Sequence, residues 1–263
     1  MPYREAPDIP PNVLIVSGLD PSGGAGFIAD VRVAERHHVR PVGVITALTE
    51  QNTAGVLGMH DMQGHIIESQ LRLLLGDIEI RAGKIGMVGS ARIAQVIGDA
   101  LAMTNAPIVW DPVLAPSRGG GPLFEGNPFD AMAALASHIT LLTPNTDEAH
   151  RLTGIAVTDE KSAIAAGKAL VDKWVSAALI KGGHLGGDEA VDLLIAGGAV
   201  HRLVAPRVRG LDVHGTGCAL STSIAARLAL GDDLLTACKT AKQLVAKWIA
   251  QPASPGRGSP AVL

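Results

Sequence analysis

Short apolar runs alternate with longer amphipathic stretches along almost the whole of this 263-residue chain. The short runs have the length and β-branched character of buried strands, and the longer stretches have the periodicity of helices with one apolar face. Buried strands that alternate with helices usually pair in parallel. We therefore expect an α/β fold in a single domain, with a mostly parallel central sheet and helices on both faces.

The same patterns predict where each element lies. Strands are predicted at 13–17, 42–46, 82–86, 107–110, 139–142 and 177–180, followed by a hairpin of strands 191–195 and 199–204 that turns at two glycines. Helices are predicted at 25–36, 64–75, 90–102, 128–136, 146–153, 159–174, 217–229 and 233–250. We expect one domain over residues 12–250, with short tails at 1–11 and 251–263.

Charge and hydropathy exclude several classes of partner. The formal net charge is −3, so the chain has no excess of basic residues for nucleic acid or an anionic membrane. Residues 1–11 lack the apolar core of a secretory signal, and no apolar run reaches membrane-spanning length. These features predict a cytoplasmic protein that acts on a diffusible small molecule, with Cys218 and Cys238 as free thiols.

Four glycine-rich stretches lie next to predicted strands or helices, where ligands bind in parallel α/β sheets. They are SGLDPSGGAG (17–26), RGGGPLF (118–124), KGGHLGGDE (181–189) and HGTGC (214–218). The first contains a loose match to the dinucleotide-binding fingerprint, but the acidic residue that should follow the second strand comes late, at Glu50. The lysine-bearing loop of P-loop proteins is absent from the sequence.

The stretch HGTGC opens a predicted helix and is the most informative of the four. Backbone N–H groups of Gly215, Thr216 and Gly217 can converge on an anion, and the positive end of the helix dipole adds to the attraction. The same position would lower the pKa of Cys218, because a helix N-terminus favours thiolate over thiol. The alternative is a tight loop that buries a small thiol.

Three other polar groups follow predicted strands, and each has two interpretations. Lys181 could contact phosphate or could be a solvated surface residue. Asn145 and Glu148 stand at a helix start, where they could cap the helix or, beside a nucleotide, hold magnesium and its water. Asp111 could likewise be a cap or a carboxylate that faces a metal ion.

Seven motifs in order resemble the bacterial hydroxymethylpyrimidine and phosphomethylpyrimidine kinases of thiamine biosynthesis, members of the ribokinase superfamily. The resemblance extends from about residue 12 to about residue 248. The motifs are SGLDPSGGAGFIAD, VITALTEQNTAGV, KIGMVGS, WDPV, LLTPNTDEA, ALIKGGHLGGDEAVDLL and VHGTGCALSTSIAA. The resemblance implies a ribokinase-like fold, ATP and magnesium as cofactors, a pyrimidine substrate and a homodimer.

The resemblance also implies roles for individual residues. Cys218 resembles the base or hydroxyl-orienting group, and Gly215, Thr216 and Gly217 resemble the family's anion hole. The positions that match the family's pyrimidine pocket are Gly18, Ala25, Asp30, Gln51, Met87 and Val113. On the nucleotide side, Lys181 matches a phosphate-contacting lysine, and Asp111, Asn145 and Glu148 match the magnesium and water network, with Asp111 and Glu148 acting through water.

The implied activity is ATP-dependent phosphorylation of 4-amino-5-hydroxymethyl-2-methylpyrimidine and then of its monophosphate. Two alternatives stay open at this point. One is a pyridoxal or pyridoxine kinase, because cysteine-bearing relatives include members that accept vitamin B6. The other is a non-catalytic pyrimidine-binding regulatory protein, because the C-terminal segment GRGSPAVL departs from the family's usual ending.

Overall fold

A computed structural model describes residues 9–115, 121, 123–183, 188–208 and 212–262. Its strands are β1 Asn12–Leu19, β2 Arg40–Asn52, β3 Gly55–Asp61, β4 Ile80–Ile85, β5 Gly89–Ser90, β6 Ile108–Trp110, β7 Phe124–Glu125, β8 Leu141–Leu142, β9 Ala177–Ile180, β10 Glu189–Ala196 and β11 Ala199–Pro206. Its α-helices are α1 Gly26–Arg36, α2 Gly64–Asp77, α3 Ala91–Leu101, α4 Pro128–Leu135, α5 Thr146–Thr153, α6 Glu160–Lys173, α7 Thr216–Ala229 and α8 Leu234–Ile249.

Nine of these strands form one sheet in the order β11-β10-β9-β8-β6-β4-β1-β2-β3. The six strands from β9 to β2 in that order pair in parallel. The outer strands pair antiparallel, as the predicted β10–β11 hairpin at one edge and as β2–β3 at the other. The prediction of a mostly parallel α/β sheet in one domain is confirmed.

Helices cover both faces of the sheet, and the strands alternate their side chains between two cores. Along β1, Leu14 and Val16 pack with residues of α2 to α6, whereas Val13 and Ile15 pack with residues of α1, α7 and α8. All four side chains are at most 1% exposed. This two-sided burial explains why β1 reads as a continuous apolar run.

The sequence analysis missed β3, which pairs with the second half of a β2 that extends to Asn52. The sequence of β3, GVLGMHD, contains two glycines and two polar residues, so it lacks the apolar alternation used to predict strands. As an edge strand it needs little burial, and Leu57 is 88% exposed. Its pairing carries β2 out to Gln51, a predicted site residue.

The predicted C-terminal tail packs back onto the fold after α8. Ser259 N donates to the carbonyl of Thr53 at 2.8 Å, and His214 N donates to the carbonyl of Pro260 at 2.8 Å. The segment therefore joins the β2–β3 turn to the residue that precedes Gly215. Residues 118–120, 122 and 184–187 of the glycine-rich stretches lie outside the described residues.

Both thiols in the described chain are free, and Cys238 lies in the core on α8. Within the described ranges, none of the helices is both long enough and apolar enough to cross a bilayer.

Two helical glycines provide a matched test of the packing between α3 and α4. A Cβ at Gly98 in α3 would overlap the backbone carbonyl oxygen of Ala134 in α4, whereas a Cβ at Gly76 in α2 would meet nothing within 4 Å. We expect Gly98→Ala to lower the free energy of unfolding by about 1–3 kcal/mol through overpacking. Gly76→Ala should raise it by up to about 1 kcal/mol, because alanine has the higher helix propensity. Urea unfolding measures both, and equal effects would contradict the packing described here.

Candidate active site

A cleft of about 770 Å³ opens at the carboxyl ends of the parallel strands. Its walls come from β1, β2, the loop after β6, the start of α5, the end of β9 and the start of α7. Twelve of the fourteen predicted site residues line it: Gly18, Ala25, Gln51, Met87, Val113, Asn145, Glu148, Lys181, Gly215, Thr216, Gly217 and Cys218. Chain segments far apart in sequence thus converge on one cavity, as expected because ligands of open parallel α/β sheets bind at the carboxyl ends of the strands.

The start of α7 forms what we call the anion loop, Gly215, Thr216 and Gly217. Gly215 is the N-cap with φ of +82°, a left-handed conformation that favours glycine. A Cβ there would also overlap the carbonyl oxygen of Gly24, so the two glycine-rich loops touch through their main chains. The first N–H groups of a helix lack acceptors within it, so those of Thr216 and Gly217 can bind an anion.

A lysine–carboxylate pair lies directly behind the anion loop. Lys181 Nζ is 2.6 Å from Asp111 Oδ1 and 3.8 Å from Glu148 Oε2. A Cβ at Gly217 would lie 3.2 Å from Lys181 Nζ and 3.3 Å from Asp111 Oδ2. The ammonium therefore borders the position where the helix N-terminus would hold an anion. The surface interpretation of Lys181 is wrong, since its side chain is only 15% exposed.

Asn145 and Glu148 do cap α5, and they also belong to the cleft. The Asn145 side chain accepts from Glu148 N at 2.8 Å, and Glu148 Oε2 accepts from Asn145 N at 2.7 Å. Burial raises the pKa of Glu148 to about 7. Lys181 opposes this rise, but its ammonium lies closer to Asp111, whose negative charge raises the pKa of Glu148 further. The two interpretations of Asn145 and Glu148, as caps of a helix and as polar groups of a nucleotide and magnesium site, are therefore compatible.

The expected thiolate at Cys218 is wrong. Loss of water around the sulfur raises the pKa of Cys218 to about 11, and the carboxylates of Asp30 and Asp111 raise it too. The positive charge of Lys84 and a hydrogen bond from Gly26 N–H oppose the rise without reversing it. The sequence argument considered only the helix N-terminus and missed the burial and the acidic neighbours. Cys218 lines the cleft as a neutral thiol at neutral pH.

Asp30 does not line the cleft, which corrects its predicted contact with the pyrimidine. Its side chain is fully buried, and its two oxygens accept from Lys84 Nζ at 2.5 Å and from Thr222 Oγ1 at 2.7 Å. Asp30 thus supports α1 and α7 from beneath the cavity wall. Asp111, the other predicted residue outside the lining, is 2% exposed and contacts the cleft through Lys181.

Sequence reasoning gave no role to Lys84, although it quoted the motif KIGMVGS that contains it. Lys84 is fully buried, and burial alone would lower its pKa; the negative charge of Asp30 outweighs this and the pKa is raised. A lysine inside an apolar strand almost always needs a buried carboxylate partner. That rule was the signal available in the sequence, but it does not say which of the chain's carboxylates is the partner.

One end of the cleft presents an apolar wall beside the amide of Gln51. Met87 packs with Ala47, Val56 and Leu123, and Val113 packs against this cluster. A Cβ at Gly18 would overlap the Met87 methyl group, so the absence of a side chain there makes room for the methionine. Gln51 is one of several polar residues at this end. An apolar wall with one directional amide suits a small aromatic ring.

The opposite end contains an ion pair that sequence reasoning also missed. Lys242 Nζ in α8 is 2.7 Å from Asp192 Oδ2 in β10, and Gly182 N donates to Asp192 Oδ1 at 3.0 Å. The apolar side chains at this end include Ala205, Leu220, Val245, Ala246 and Ile249. The spacing of residues in separate elements could not predict this pairing, because β10 and α8 meet only in the fold.

Metal ligands are few at the centre of the cleft. In the described part of the chain, no three histidine, cysteine or carboxylate side chains converge as a protein-only metal site would require. Asp111 and Glu148 are two acidic groups that repel each other. One or two carboxylates are what Mg²⁺ takes from a protein when phosphates and water provide its other ligands. The donor set therefore fits magnesium that arrives with a phosphorylated ligand.

The raised pKa of Glu148 predicts a pH-dependent difference between the wild type and Glu148→Gln. Glu148 binds its proton more tightly in the folded chain, with a pKa of about 7 against an ordinary 4.5. This tighter proton binding adds to the free energy of unfolding; the gain is complete below pH 4.5 and is lost as the pH rises through 7. We expect the wild type to lose stability relative to Glu148→Gln by about 1.4 kcal/mol for each pKa unit of the shift.

Urea unfolding between pH 4.5 and pH 8 measures this difference. Asp147→Asn, at an exposed neighbouring position, controls for loss of a charge in the first turn of α5. A wild-type-to-Gln difference that stays flat, or that favours the wild type as the pH rises, would contradict the assignment.

Comparisons with known proteins identify the family of the chain. A sequence profile of the phosphomethylpyrimidine kinase family matches residues 20–262. The chain is 40% identical over 242 residues to the hydroxymethylpyrimidine/phosphomethylpyrimidine kinase of Streptomyces coelicolor, covering 91% of this chain and 88% of that protein. The structure of phosphomethylpyrimidine kinase from Clostridium difficile 630 superposes with a TM-score of 0.76 at 34% identity, covering 89% of this chain and 96% of that one.

A pyridoxal kinase is also structurally similar. The Staphylococcus aureus enzyme in complex with AMP-PCP and pyridoxal gives a TM-score of 0.87 at 26% identity, covering 96% of this chain and 92% of that one. The chain thus shares its ribokinase-like fold with a phosphomethylpyrimidine kinase and a pyridoxal kinase. The family profile and the Streptomyces relative both carry the name of the pyrimidine kinase. From the profile over residues 20–262 and the identity to the Streptomyces enzyme, the chain belongs to the phosphomethylpyrimidine kinase family, a family of phosphotransferases.

Proposed function

We propose that this chain transfers the γ-phosphoryl group of ATP to 4-amino-5-hydroxymethyl-2-methylpyrimidine and then to the resulting monophosphate. In the first step the hydroxymethyl oxygen bonds to the γ-phosphorus, the bond from that phosphorus to the β,γ-bridging oxygen breaks, and ADP leaves. In the second step an oxygen of the monophosphate bonds to the γ-phosphorus of a second ATP, the bond to its β,γ-bridging oxygen breaks, and a second ADP leaves. The product is the pyrimidine diphosphate used in thiamine biosynthesis.

The observation that carries the proposal is the position of the anion loop. It lies between an apolar pocket that contains the Gln51 amide and a buried lysine–carboxylate pair at Lys181. Phosphoryl transfer asks the protein mainly to align two reactants and to neutralise charge on the transferred group. A loop of N–H donors at a helix N-terminus, with Lys181 behind it, meets both needs.

Each end of the cleft suits one of the two substrates. The pyrimidine would lie against Met87 and Val113 with its polar edge on Gln51, and its hydroxymethyl group would point toward Cys218. The adenine ring would lie in the apolar end beside α8. ATP use is supported by the AMP-PCP complex of the Staphylococcus pyridoxal kinase, whose fold this chain shares.

Cys218 acts in this proposal as the group that orients the acceptor hydroxyl. Burial and the acidic neighbours raise the pKa of the thiol to about 11, so a thiolate base would be scarce at neutral pH. The loose transition state of phosphoryl transfer has little need of a strong base. The hydroxyl proton can leave with the phosphate product after the new bond forms.

Magnesium and the homodimer belong to the same proposal. Asp111 and Glu148 would hold the ion through water, and the ion would neutralise charge on the phosphate oxygens. For the dimer, the support beyond the resemblance is one exposed apolar side chain on edge strand β3, Leu57. A cytoplasmic location is also retained as a proposal.

The pyridoxal kinase alternative is motivated by the similar fold of the Staphylococcus enzyme, and the family profile favours the pyrimidine. The non-catalytic alternative is disfavoured, because a pure binder has no use for the anion loop and Lys181 together.

Product analysis tests the proposed activity. With ATP, magnesium ion and the hydroxymethylpyrimidine, phosphorus NMR should show the monophosphate first and then the diphosphate, with one ADP per transfer. Pyridoxal under the same conditions should be phosphorylated more slowly. Lys181→Gln should lose most of the activity because the ammonium beside the anion loop is gone, whereas Lys239→Gln, exposed on α8, should keep it. Preferential formation of pyridoxal phosphate, or no pyrimidine-dependent consumption of ATP, would overturn the proposal.

A further inference from the structure

One ring nitrogen of His214 faces two different side chains at the pyrimidine end of the cleft. Its Nε2 atom is 3.1 Å from Asp20 Oδ2 and 3.1 Å from the Gln51 amide nitrogen. A ring nitrogen is either a donor or an acceptor, and an amide nitrogen can only donate. When the amide nitrogen faces His214, Nε2 cannot bond to both neighbours. As a donor it bonds to the Asp20 carboxylate, and as an acceptor it bonds to the Gln51 amide N–H.

The Asp20 carboxylate determines which state Nε2 takes. It accepts from Ser22 N at 2.8 Å, from Ser22 Oγ at 2.7 Å and from Ala25 N at 3.0 Å. Burial opposes its ionisation, but the hydrogen bonds from His214 and Ser22 outweigh burial and lower the pKa of Asp20. An ionised carboxylate only accepts. His214 Nε2 therefore carries the proton and donates to Asp20.

A second conflict stands at the other end of the same amide. The hydroxyl of Thr49 is 3.0 Å from the carbonyl oxygen of Leu19 and 3.1 Å from the Gln51 amide oxygen. A hydroxyl has one proton to donate, and both neighbours are acceptors. The carbonyl of Leu19 cannot change its role, so the hydroxyl proton goes to Leu19 and its lone pairs face Gln51.

A half-turn of the Gln51 amide resolves both conflicts at once. The amide oxygen then accepts from His214 Nε2–H, and the amide nitrogen donates to Thr49 Oγ1. Oxygen and nitrogen of an amide are assigned through such networks, and this network has one consistent solution. The remaining N–H and C=O positions of the amide form its outer edge, which can pair with a ligand in the cleft.

We propose that His214, itself held by Asp20, fixes the orientation of the Gln51 amide and thereby makes the cleft select a 4-aminopyrimidine over the corresponding 4-oxopyrimidine. A 4-aminopyrimidine presents an amine donor beside a ring-nitrogen acceptor, and the 4-oxo form presents the reverse order. An amide in a fixed orientation can accept from the 4-amino group and donate to the ring nitrogen. With the ring in the same orientation, the 4-oxo form would place acceptor against acceptor and donor against donor. This proposal rests on the proposed function, and it makes His214 a positioning residue.

The main chain holds His214 in place for this role. The carbonyl oxygen of His214 accepts from Val262 N at 3.1 Å, while its own N–H donates to Pro260. A Cβ at Gly24 would lie 2.7 Å from His214 Cδ2, so the imidazole packs closely on the first glycine-rich loop. The C-terminal segment and the loop that precedes α1 together set where Nε2 points.

The test compares turnover of 4-amino-5-hydroxymethyl-2-methylpyrimidine with turnover of its 4-oxo analogue. His214→Leu removes the donor, so the amide can rotate, and we expect the kcat/KM ratio of amino to oxo substrate to fall at least about tenfold. His214→Gln keeps an N–H donor at similar reach and should restore most of the ratio. Equal loss for both substrates, with the ratio unchanged, would show a merely structural role and overturn the proposal.

Two further measurements keep the result decisive. If His214→Leu does not fold, Thr49→Val takes its place in the test. This variant removes the acceptor at the other end of the amide, so it should also lower the kcat/KM ratio of amino to oxo substrate. The ratio of the calorimetric dissociation constants of the two pyrimidines measures the selectivity for the amino compound without turnover. A wild type that binds the amino compound selectively but consumes no ATP would refute the proposed function and still support the orientation by His214. Equal binding of both pyrimidines to the wild type would overturn the orientation proposal.

Discussion

The close approach of two glycine-rich loops is the constraint on which the rest of the site depends. Gly215 has a left-handed backbone, and a side chain there would overlap the carbonyl oxygen of Gly24. This contact joins the loop after β1, which lies at the ring-binding end of the cleft, to the first turn of α7. Because the contact is between main chains, the distance from the pocket to the helix N-terminus does not depend on any flexible side chain.

Buried charge surrounds the anion loop on the protein side. The Lys84–Asp30 and Lys181–Asp111 pairs both lie near Cys218, and each lysine compensates a carboxylate that would otherwise be costly to bury. Burial raises the pKa of Glu148, and Lys181, which is paired with Asp111, only partly opposes this rise. In the proposed reaction this charge arrangement would receive a cation together with a polyanion, and the Cys218 thiol near the pairs stays neutral because its pKa is raised to about 11.

The sequence predicted the layered fold and most of the cleft, because parallel strands end at one edge and the glycine-rich motifs follow those ends. It failed where the outcome depended on burial or on contacts between distant segments. Local spacing placed Cys218 at a helix N-terminus but could not show that acidic neighbours and loss of water raise its pKa. Asp30 matched a pocket position, yet Lys84, 54 residues away, takes its carboxylate. The edge strand β3 was missed because its two glycines and two polar residues break the apolar alternation that predicts a strand.

The most direct measurement of the central claim compares Gly217→Pro with Gly217→Ala. Both add a carbon beside Lys181 and Asp111, but only proline removes the N–H group. If that N–H binds the migrating phosphoryl group, kcat for the pyrimidine should be about 10²-fold or more lower in the proline variant than in the alanine variant, at equal thermal stability. Equal kcat values for the two variants would contradict the claim that the amides at the start of α7 stabilise the transferred phosphate.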